Sequence, residues 1–460
     1  MAGISAIAAY VPRYRLPREV IAQAWGGTSF GGERAVANHD EDSLTLAVGA
    51  ALELGSASAG ADAVYFASTT APYAEKQGAA TLATVLDLPA TCRTLDVADS
   101  QRAATSALVA GLDALAAGSV RRVVVATGEC RTGEPESAGE QSYGDAGAAL
   151  VLDGEAAVAD VVAAHSLHDD FLGTWRTSDQ RFPRGVGGGF EQKLGHARVV
   201  TAAIQGVLAA AGVTPRDVAR LVLPAPNPRA PVGVAKALGF DARAQLQDTL
   251  WTTVGDCGTA QPLLLLAAAL ERARPGELVL VAGHGDGADA LLLRVNAPAA
   301  GGVARQIEVK RPLRSYARYA RFRNLLARES ATSDAASPAI TFRDRRHLLP
   351  LYGGRCAACG AVQFPRHRHC IECGDGAGLE AVRLGRRGTL FTYTVDHIHE
   401  TPDPPVAHGV VDLEGGGRIY LQLTDCDPDA LAIDMPLELT FRRLHDAGGF
   451  HNYYWKARPA

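Results

Sequence analysis

The 460-residue sequence is short of lysine, with five against 40 arginines, and holds two methionines and eight cysteines. Cysteines that sparse cannot staple a chain of this length, which excludes a disulfide scaffold. Forty-five basic against 50 acidic residues leave a formal charge of −5, so no global basic field recruits nucleic acid or an anionic membrane. Apolar runs are short as well. The best, Pro262 to Leu270, stops at Glu271, far below a bilayer span. The opening MAGISAIAAYVPRYR lacks the basic n-region and long apolar segment of a secretion signal. Together with reduced thiols this points to a cytoplasmic protein. The arginine bias fits a GC-rich genome better than a function.

What is present is a globular composition: 47% apolar and 21% charged residues, with 49 glycines for tight turns and close backbone approaches. The length predicts two to four domains. Up to about residue 297, short β-branched runs alternate with Ala/Leu-rich helical stretches. Helices are expected at 103–117, 202–211 and 262–274, and strands at 123–126, 219–223 and 278–282. That alternation predicts buried sheets covered by helices on both faces. Leu150-Val151-Leu152 after Gly144-Asp145 is echoed by Leu291-Leu292-Leu293 after Gly285-Asp286, which suggests an internal duplication.

A Pro/Ala/Gly linker follows at 297–302. Residues 305–328 then carry eight Lys/Arg against one acidic residue, Glu308. Tyr316, Tyr319, Phe322 and Leu326 recur there at helical spacing. This stretch reads as a helix docked on a neighbour, as an arginine-lined approach for phosphates, or as a nucleic-acid contact, the last without support elsewhere. A Ser/Ala/Thr-rich loop ends it before Pro338. From about 346 onward, short strands at 388–394, 407–413, 418–423 and 437–441, separated by turns, suit a small β-barrel.

Cys356-x-x-Cys359 and Cys370-x-x-Cys373 form two knuckles, each with a glycine after its second cysteine, Gly360 and Gly374. Four thiolates close a tetrahedral shell, so a structural zinc is expected, with a redox pair or iron as the other readings. A closed shell leaves no position for Lewis-acid chemistry. His367 and His369, between the knuckles, are surplus to it.

Several segments in order carry a family resemblance. They are GISAIAAYVPRYRLPREVIAQAWG, ERAVANHDEDSLTLAVGAAL from Glu33, APYAEKQGAATLATVLDLP from Ala71, DVADSQRAATSAL from Asp96, YGDAGAALVL from Tyr143, PNPRAPVGVAKALGF from Pro226, GDCGTAQPLLLLA from Gly255 and GHGDGADALLL from Gly283. Together they resemble the 3-hydroxy-3-methylglutaryl-CoA synthase branch of the thiolase superfamily, in its archaeal type. RCAACGAVQFPRHRHCIECG and GRRGTLFTYTV resemble the acyl-CoA-associated family once called domain of unknown function 35. The resemblance implies an α/β chain: a duplicated αβαβα thiolase fold at 1–297, a linker and basic helix at 298–345, a rubredoxin-like zinc ribbon at 346–385 and an OB-fold barrel at 386–460. It also implies acyl-CoA substrates, coenzyme A being part of the substrate, a homodimer, and association with a separate thiolase or hydratase.

Enzymes of this branch use a cysteine nucleophile, a histidine and an asparagine at the thioester oxygen, and a glutamate acid. Carried onto this chain, the nucleophile position is Gln101, the histidine position is Pro224, the asparagine position is Asp256, and the glutamate position falls near Thr69 or Thr70. Glutamine forms no acyl-enzyme. The expectation is therefore non-covalent aldol or retro-aldol chemistry on a β-hydroxyacyl-CoA, which needs a base and an enolate site but no nucleophile. A Claisen-type acyltransferase with another nucleophile, and a non-catalytic acyl-CoA-binding scaffold, are the alternatives. Asp256 is a candidate base or a helix N-cap, and His284 an acid/base group or a loop histidine. Cys257 is a relocated nucleophile or a small buried residue, while Cys92, Cys130 and Cys426 read as core. Ser100, Asn227, Gly283, Gly285 and Gly287 are the expected substrate contacts, with the loop amides and that of Gln101 holding the enolate. Trp175, Phe182 and Phe190, beside Gly187-Gly188-Gly189, lie in a segment expected to cover the pocket.

Overall fold

The structure, a computed structural model, describes residues 2–224, 226–326, 337–447 and 449–460. Two compact units divide the chain: Met1–Ala37 with Asp42–Tyr319, and Asn38–Glu41 with Ala320–Ala460.

The first unit is built on nine strands: β1 (Gly3–Tyr10), β2 (Ala63–Ala67), β3 (Arg93–Val97), β4 (Arg122–Cys130), β5 (Asp145–Asp153), β6 (Ala159–His168), β7 (Val218–Val222), β8 (Leu278–His284) and β9 (Gly287–Val295). They lie in the order β7-β8-β9-β6-β1-β5-β4-β2-β3. From β1 outward the pairings run antiparallel to β5, antiparallel to β4, then parallel to β2. From β6 outward they repeat that sense through β9, β8 and β7. The duplication suggested by the Leu-Val-Leu and Leu-Leu-Leu runs is real, because these runs occupy equivalent strands, β5 and β9. The halves meet where Gly3 and Ile4 of β1 pair with Asp160 and Ala159 of β6. A side chain at Gly3 would sit 2.2 Å from the Ala159 carbonyl oxygen, so only glycine lets the two halves join.

Helix α1 (Ser43–Glu53) covers β1, β4 and β5, and α3 (Arg198–Ala211) covers β6, β8 and β9. Helices α2 (Ala103–Ala116) and α4 (Gln261–Leu270) pack against each other and against strands of both halves. This gives the helix–sheet–helix–sheet–helix layering expected of a thiolase fold. Every residue of α4 is buried, as an all-apolar helix at the centre of a large core must be. It ends at Leu270 rather than 274. The helical run Gly188–Ala211 is 24 residues long with a mean hydropathy of 1.3, long and apolar enough to span a membrane by length and composition. Its Val199, Val200, Ala203, Ile204, Val207 and Leu208 face is spent in the core under α3.

The basic stretch docks rather than forming an open approach. Arg311–Pro312 pairs with Tyr14–Pro17 as a short parallel strand. The Tyr316 hydroxyl donates to Glu140 at 2.6 Å, and Tyr319 is fully buried beside Arg34. Leu326 is exposed, so the apolar stripe stops a turn early. The distal part of the stretch and most of the following loop, residues 327–336, lie outside the described residues.

In the second unit, Tyr352–Cys356, Val362–Gln363 and Leu379–Arg383 form a three-stranded ribbon. Strands β10 (Arg387–Asp396), β11 (Val406–Leu413), β12 (Arg418–Leu423), β13 (Pro436–Ala447) and β14 (Phe450–Pro459) close a barrel in the order β10-β11-β12-β14-β13. A five-stranded closed barrel is the OB architecture. The hairpin β13–β14 is longer than the strand expected at 437–441, and it buries Arg442 and Lys456 on the face opposite Phe441 and Trp455. There Arg442 pairs with Asp40 at 2.9 Å, Glu41 at 3.1 Å and Asp425 at 2.6 Å, and Lys456 pairs with Asp40 at 2.9 Å.

Candidate active site

The site forms where chain segments leave the carboxyl ends of β2, β3, β4 and β8. At its centre, the segment Asp99-Ser100-Gln101 enters α2 after Asp99 adopts a left-handed φ of 72°. Asp286, in the facing loop, is likewise left-handed at 47°. Non-glycine residues held there cost energy, and such strain gathers at functional sites. The Ser100 hydroxyl donates to the Gly285 carbonyl at 2.9 Å, locking the two segments together. A Cβ at Gly285 would stand 2.8 Å from the Gln101 nitrogen, so the glycine is required by close packing on the position where a nucleophile would sit. Gly283 and Gly287 pack equally closely on Thr105 and on the β6 backbone. The Gly285 amide donates to the Gly287 carbonyl at 3.0 Å. This corrects one expectation: that amide is consumed inside the loop and is not free to hold an enolate.

Below this junction Asp289 accepts from Thr105 and Ser106 at 2.9 Å and pairs with Arg102 at 3.3 Å, fastening the first turn of α2. On one side, Thr259 donates to the Ser100 carbonyl at 3.5 Å, linking the nucleophile segment to the Asp256-Cys257-Gly258 loop. Asp256 accepts from the Gly258 amide at 2.9 Å and pairs at 3.5 Å with the buried Arg131, whose guanidinium lies 4.1 Å from the Tyr143 ring centroid. Asp256 is thus both a turn-capping residue and the partner of a buried cation. Cys257 is fully buried and its thiol points to the Gly255 carbonyl. Burial, then the neighbouring Asp256 and Asp145, push this thiol well above the ordinary range. Burial and the raised thiol both disfavour the thiolate that a nucleophile needs.

Beyond Arg131 stands Glu129, fully buried on β4, with Thr69 donating to it from its hydroxyl at 2.7 Å and from its amide at 3.1 Å. Burial pushes the Glu129 carboxyl above the usual range, against the pull of the Thr69 hydrogen bonds and Arg131. The covering segment reaches the same place, where Arg176 donates to the Thr69 carbonyl at 2.7 Å. Trp175 there pairs with Arg184 in a two-residue ladder, and Phe182 is half-buried, whereas Phe190 is exposed and leans on Phe171. A cleft of about 260 Å³ opens beside Ala71, lined by Ser68, Tyr73, Lys76, Gln77 and Asp96 among others.

On the other side of the nucleophile segment, His284 ends β8. Its ring meets that of His196 edge to face, with centroids 4.9 Å apart. Burial, then His196, push the His284 imidazole down to about 3, so it is neutral at pH 7. His196 lies on a π-helical turn, Glu191–Ala197, and its Nε2 stands 3.4 Å from the Pro224 carbonyl. Asn227 is a cap: its side-chain oxygen accepts from the amides of Arg229 and Ala230 at the start of a helix. Of the cysteines read as core, Cys92, Cys130 and Cys426 are only half-buried.

The zinc ribbon is simpler. The sulfurs of Cys356, Cys359, Cys370 and Cys373 all lie within 4.8 Å of one another, two of the separations being 3.7 and 3.6 Å. A tetrahedral zinc at a Zn–S distance of about 2.3 Å needs sulfurs roughly 3.8 Å apart, so the four fit it. His367 and His369 are exposed and stay outside the cluster.

Family models match three stretches: residues 208–295 to the C-terminal part of 3-oxoacyl-[acyl-carrier-protein] synthase III, 351–380 to the rubredoxin-like zinc ribbon of ChsH2, and 381–442 to the ChsH2 C-terminal OB-fold domain. A hydroxymethylglutaryl-CoA synthase of Pyrobaculum neutrophilum is 30% identical over 299 residues, covering 62% of this chain and 84% of the relative. The chain belongs to the hydroxymethylglutaryl-CoA synthase family. The Aeropyrum pernix member is 31% identical over 309 residues, covering 64% and 85% of the two chains. Among solved structures, a hydroxymethylglutaryl-CoA synthase complexed with CoA aligns at a TM-score of 0.64 and 18% identity, covering 72% of this chain and 92% of the other. A 3-oxoacyl-(acyl carrier protein) synthase III from Pseudomonas aeruginosa aligns at 0.58 and 21% identity, covering 65% and 99%.

Against that family, the positions flagged by sequence fall along one connected path, from Thr69 through Asp256 and Gln101 to Pro224. Among the residues on this path that went unflagged are Arg131, Glu129 and His196, of which the last two matter most here. Each touches a substituted position, Glu129 at Thr69 and His196 at Pro224. Neither stands in a motif, and only their chemistry in a buried setting could have drawn attention to them.

Proposed function

We propose that the chain is an acyl-CoA enzyme that makes or breaks a carbon–carbon bond in a β-hydroxyacyl-CoA without forming an acyl-enzyme. The observation that carries this reading is that Gln101, at the nucleophile position, packs against the Gly285 loop that begins at His284. A glutamine accepts no acyl group, and the nearby thiol of Cys257 is held protonated. In the cleavage direction a base takes the β-hydroxyl proton, the Cα–Cβ bond breaks, and the oxygen becomes a carbonyl. The bonding pair moves into the thioester as an enolate, which a proton at Cα quenches. His284 is the base; Asp256 and Arg131 shape the loop on the other side of the nucleophile segment. Coenzyme A enters as part of the substrate, and the zinc is structural. A homodimer through the edge strand β3, where Leu95 is exposed, fits this assignment.

Incubation with acetyl-CoA should leave the intact mass unchanged. 3-Hydroxy-3-methylglutaryl-CoA should be converted to acetyl-CoA and a ketone, at a rate that falls about 10²- to 10⁴-fold in His284→Gln. A stable acyl adduct, or full activity in His284→Gln, would sink the reading. Absence of turnover with tight acyl-CoA binding would instead favour a scaffold serving a partner thiolase.

A further inference from the structure

Pro224 cannot supply the imidazole expected at its position, yet an imidazole is present at that peptide. His196 is 3% exposed, and its Nε2 faces the Pro224 carbonyl oxygen at 3.4 Å. A carbonyl only accepts, so this contact places the ring proton on Nε2 and leaves a lone pair on Nδ1. That Nδ1 is buried and has no hydrogen-bond partner among the described residues. A buried polar atom left unpaired costs stability, and in a native structure it calls for an ordered water, a ligand or a chemical role. Its setting agrees. The ring contacts His284, and its backbone belongs to a π-helical turn, a distortion found mostly at functional sites. The turn also brings the backbone of Gly195 into hydrogen bonding with His284, so one distortion positions both rings.

We propose that His196 is the second acid–base residue of this site, its Nδ1 carrying the proton at Cα of the acyl-CoA while His284 serves the β-oxygen. This rests on the acyl-CoA reading above. In the cleavage direction His284 accepts the hydroxyl proton. The enolate left after the Cα–Cβ bond breaks takes its proton at Cα from His196, which has gained it from the protonated His284 or from solvent. In the reverse sense Nδ1 removes a Cα proton and the electron pair enters the thioester enolate. No oxidant, metal or co-reactant is required.

The two steps separate experimentally. Native protein mixed with acetyl-CoA in D2O should exchange the methyl protons for deuterium, followed by NMR. His196→Gln should lower that exchange about 100-fold, with acetyl-CoA binding by calorimetry within about threefold of native. His284→Gln should keep most of the exchange while losing cleavage of 3-hydroxy-3-methylglutaryl-CoA. Exchange in His196→Gln within threefold of native would overturn the assignment. So would a native protein that binds acetyl-CoA without exchanging it. Exchange without any cleavage would leave His196 in place and defeat the lyase reading alone. Because the glutamine variant is a core substitution, the native protein offers a second measurement. In 15N-histidine-labelled protein at pH 7, His196 should be a neutral Nε2–H tautomer whose bare Nδ1 shifts on adding acetyl-CoA. A protonated or Nδ1–H ring would contradict the proposal.

Discussion

Two of the chain's buried charge clusters are treated in different ways. In the C-terminal unit, Asp40, Glu41 and Asp425 meet Arg442, Lys456 and Arg458, with Asn38 and Thr424 donating to the carboxylates at 3.0 Å. Burial alone would raise the Asp40 carboxyl, but Lys456 and Arg442 hold it far below the usual range. In the first unit two carboxylates, Glu129 and Asp256, act on one cation, Arg131, and across the nucleophile segment His284 meets His196, whose Nδ1 has no partner among the described residues. The first cluster is closed, every charge answered by an opposite one. The second is left incomplete, at a cost to stability that a site of chemistry explains.

The comparison breaks most easily at Arg442. Removing one member of a closed buried cluster strands the others, so Arg442→Ala should destabilise the C-terminal unit by about 3–5 kcal/mol. Denaturant unfolding followed by Trp455 fluorescence, with other tryptophans replaced, reads that unit. A loss below about 1 kcal/mol would mean that water reaches the cluster.

How far each region was legible in the sequence follows from how its residues are brought together. The zinc ligands sit within 18 residues, and their spacing alone implies the cluster. Helix α4 was legible because it is apolar all round, and the barrel because its strands recur between turns. The candidate site is assembled from loops near residues 69, 100, 129, 196, 224, 256 and 284, which spacing cannot bring together. Resemblance located four positions and what they had lost. It could not reveal that Glu129 and His196 reach two of those positions from neighbouring elements, since such contacts exist only in the folded chain. The Cys257 thiol illustrates the reverse limit: sequence left it a relocated nucleophile or a small buried residue, and its complete burial is visible only in the folded chain.

A milder probe is acid. Burial holds His284 at about 3 against an ordinary 6.5, with His196 and Arg102 lowering it further and Asp169 opposing them. Because the unfolded chain binds the proton first, this histidine costs nothing above pH 6.5. Its contribution to stability is lost as the pH falls from there towards 3, by about 1.4 kcal/mol per pH unit. His284→Gln should remove that slope from the first unit's stability-against-pH curve between pH 6 and 4. Asp40, whose carboxyl is lowered, loses its contribution only below about pH 4. Parallel curves for native protein and His284→Gln would show that the ring is solvated.

The smallest effect is expected at Glu129, and it tests the comparison most directly. A carboxyl raised by burial keeps its proton longer in the folded chain than in the unfolded one, so its favourable contribution exists at low pH and is lost as the pH rises. Glu129→Gln retains the shape and an acceptor for the Thr69 amide, and its amide group can face the Thr69 hydroxyl, which can accept. At pH 7 the variant should therefore melt within about 1 kcal/mol of native, or slightly above it, and lose ground relative to native as the pH falls towards 4. A loss of several kcal/mol at pH 7, comparable to Arg442→Ala, would mean that Glu129 is a carboxylate locked to Arg131. The two buried clusters would then be of one kind, and the incomplete pairing around Arg131 would no longer mark a place of chemistry.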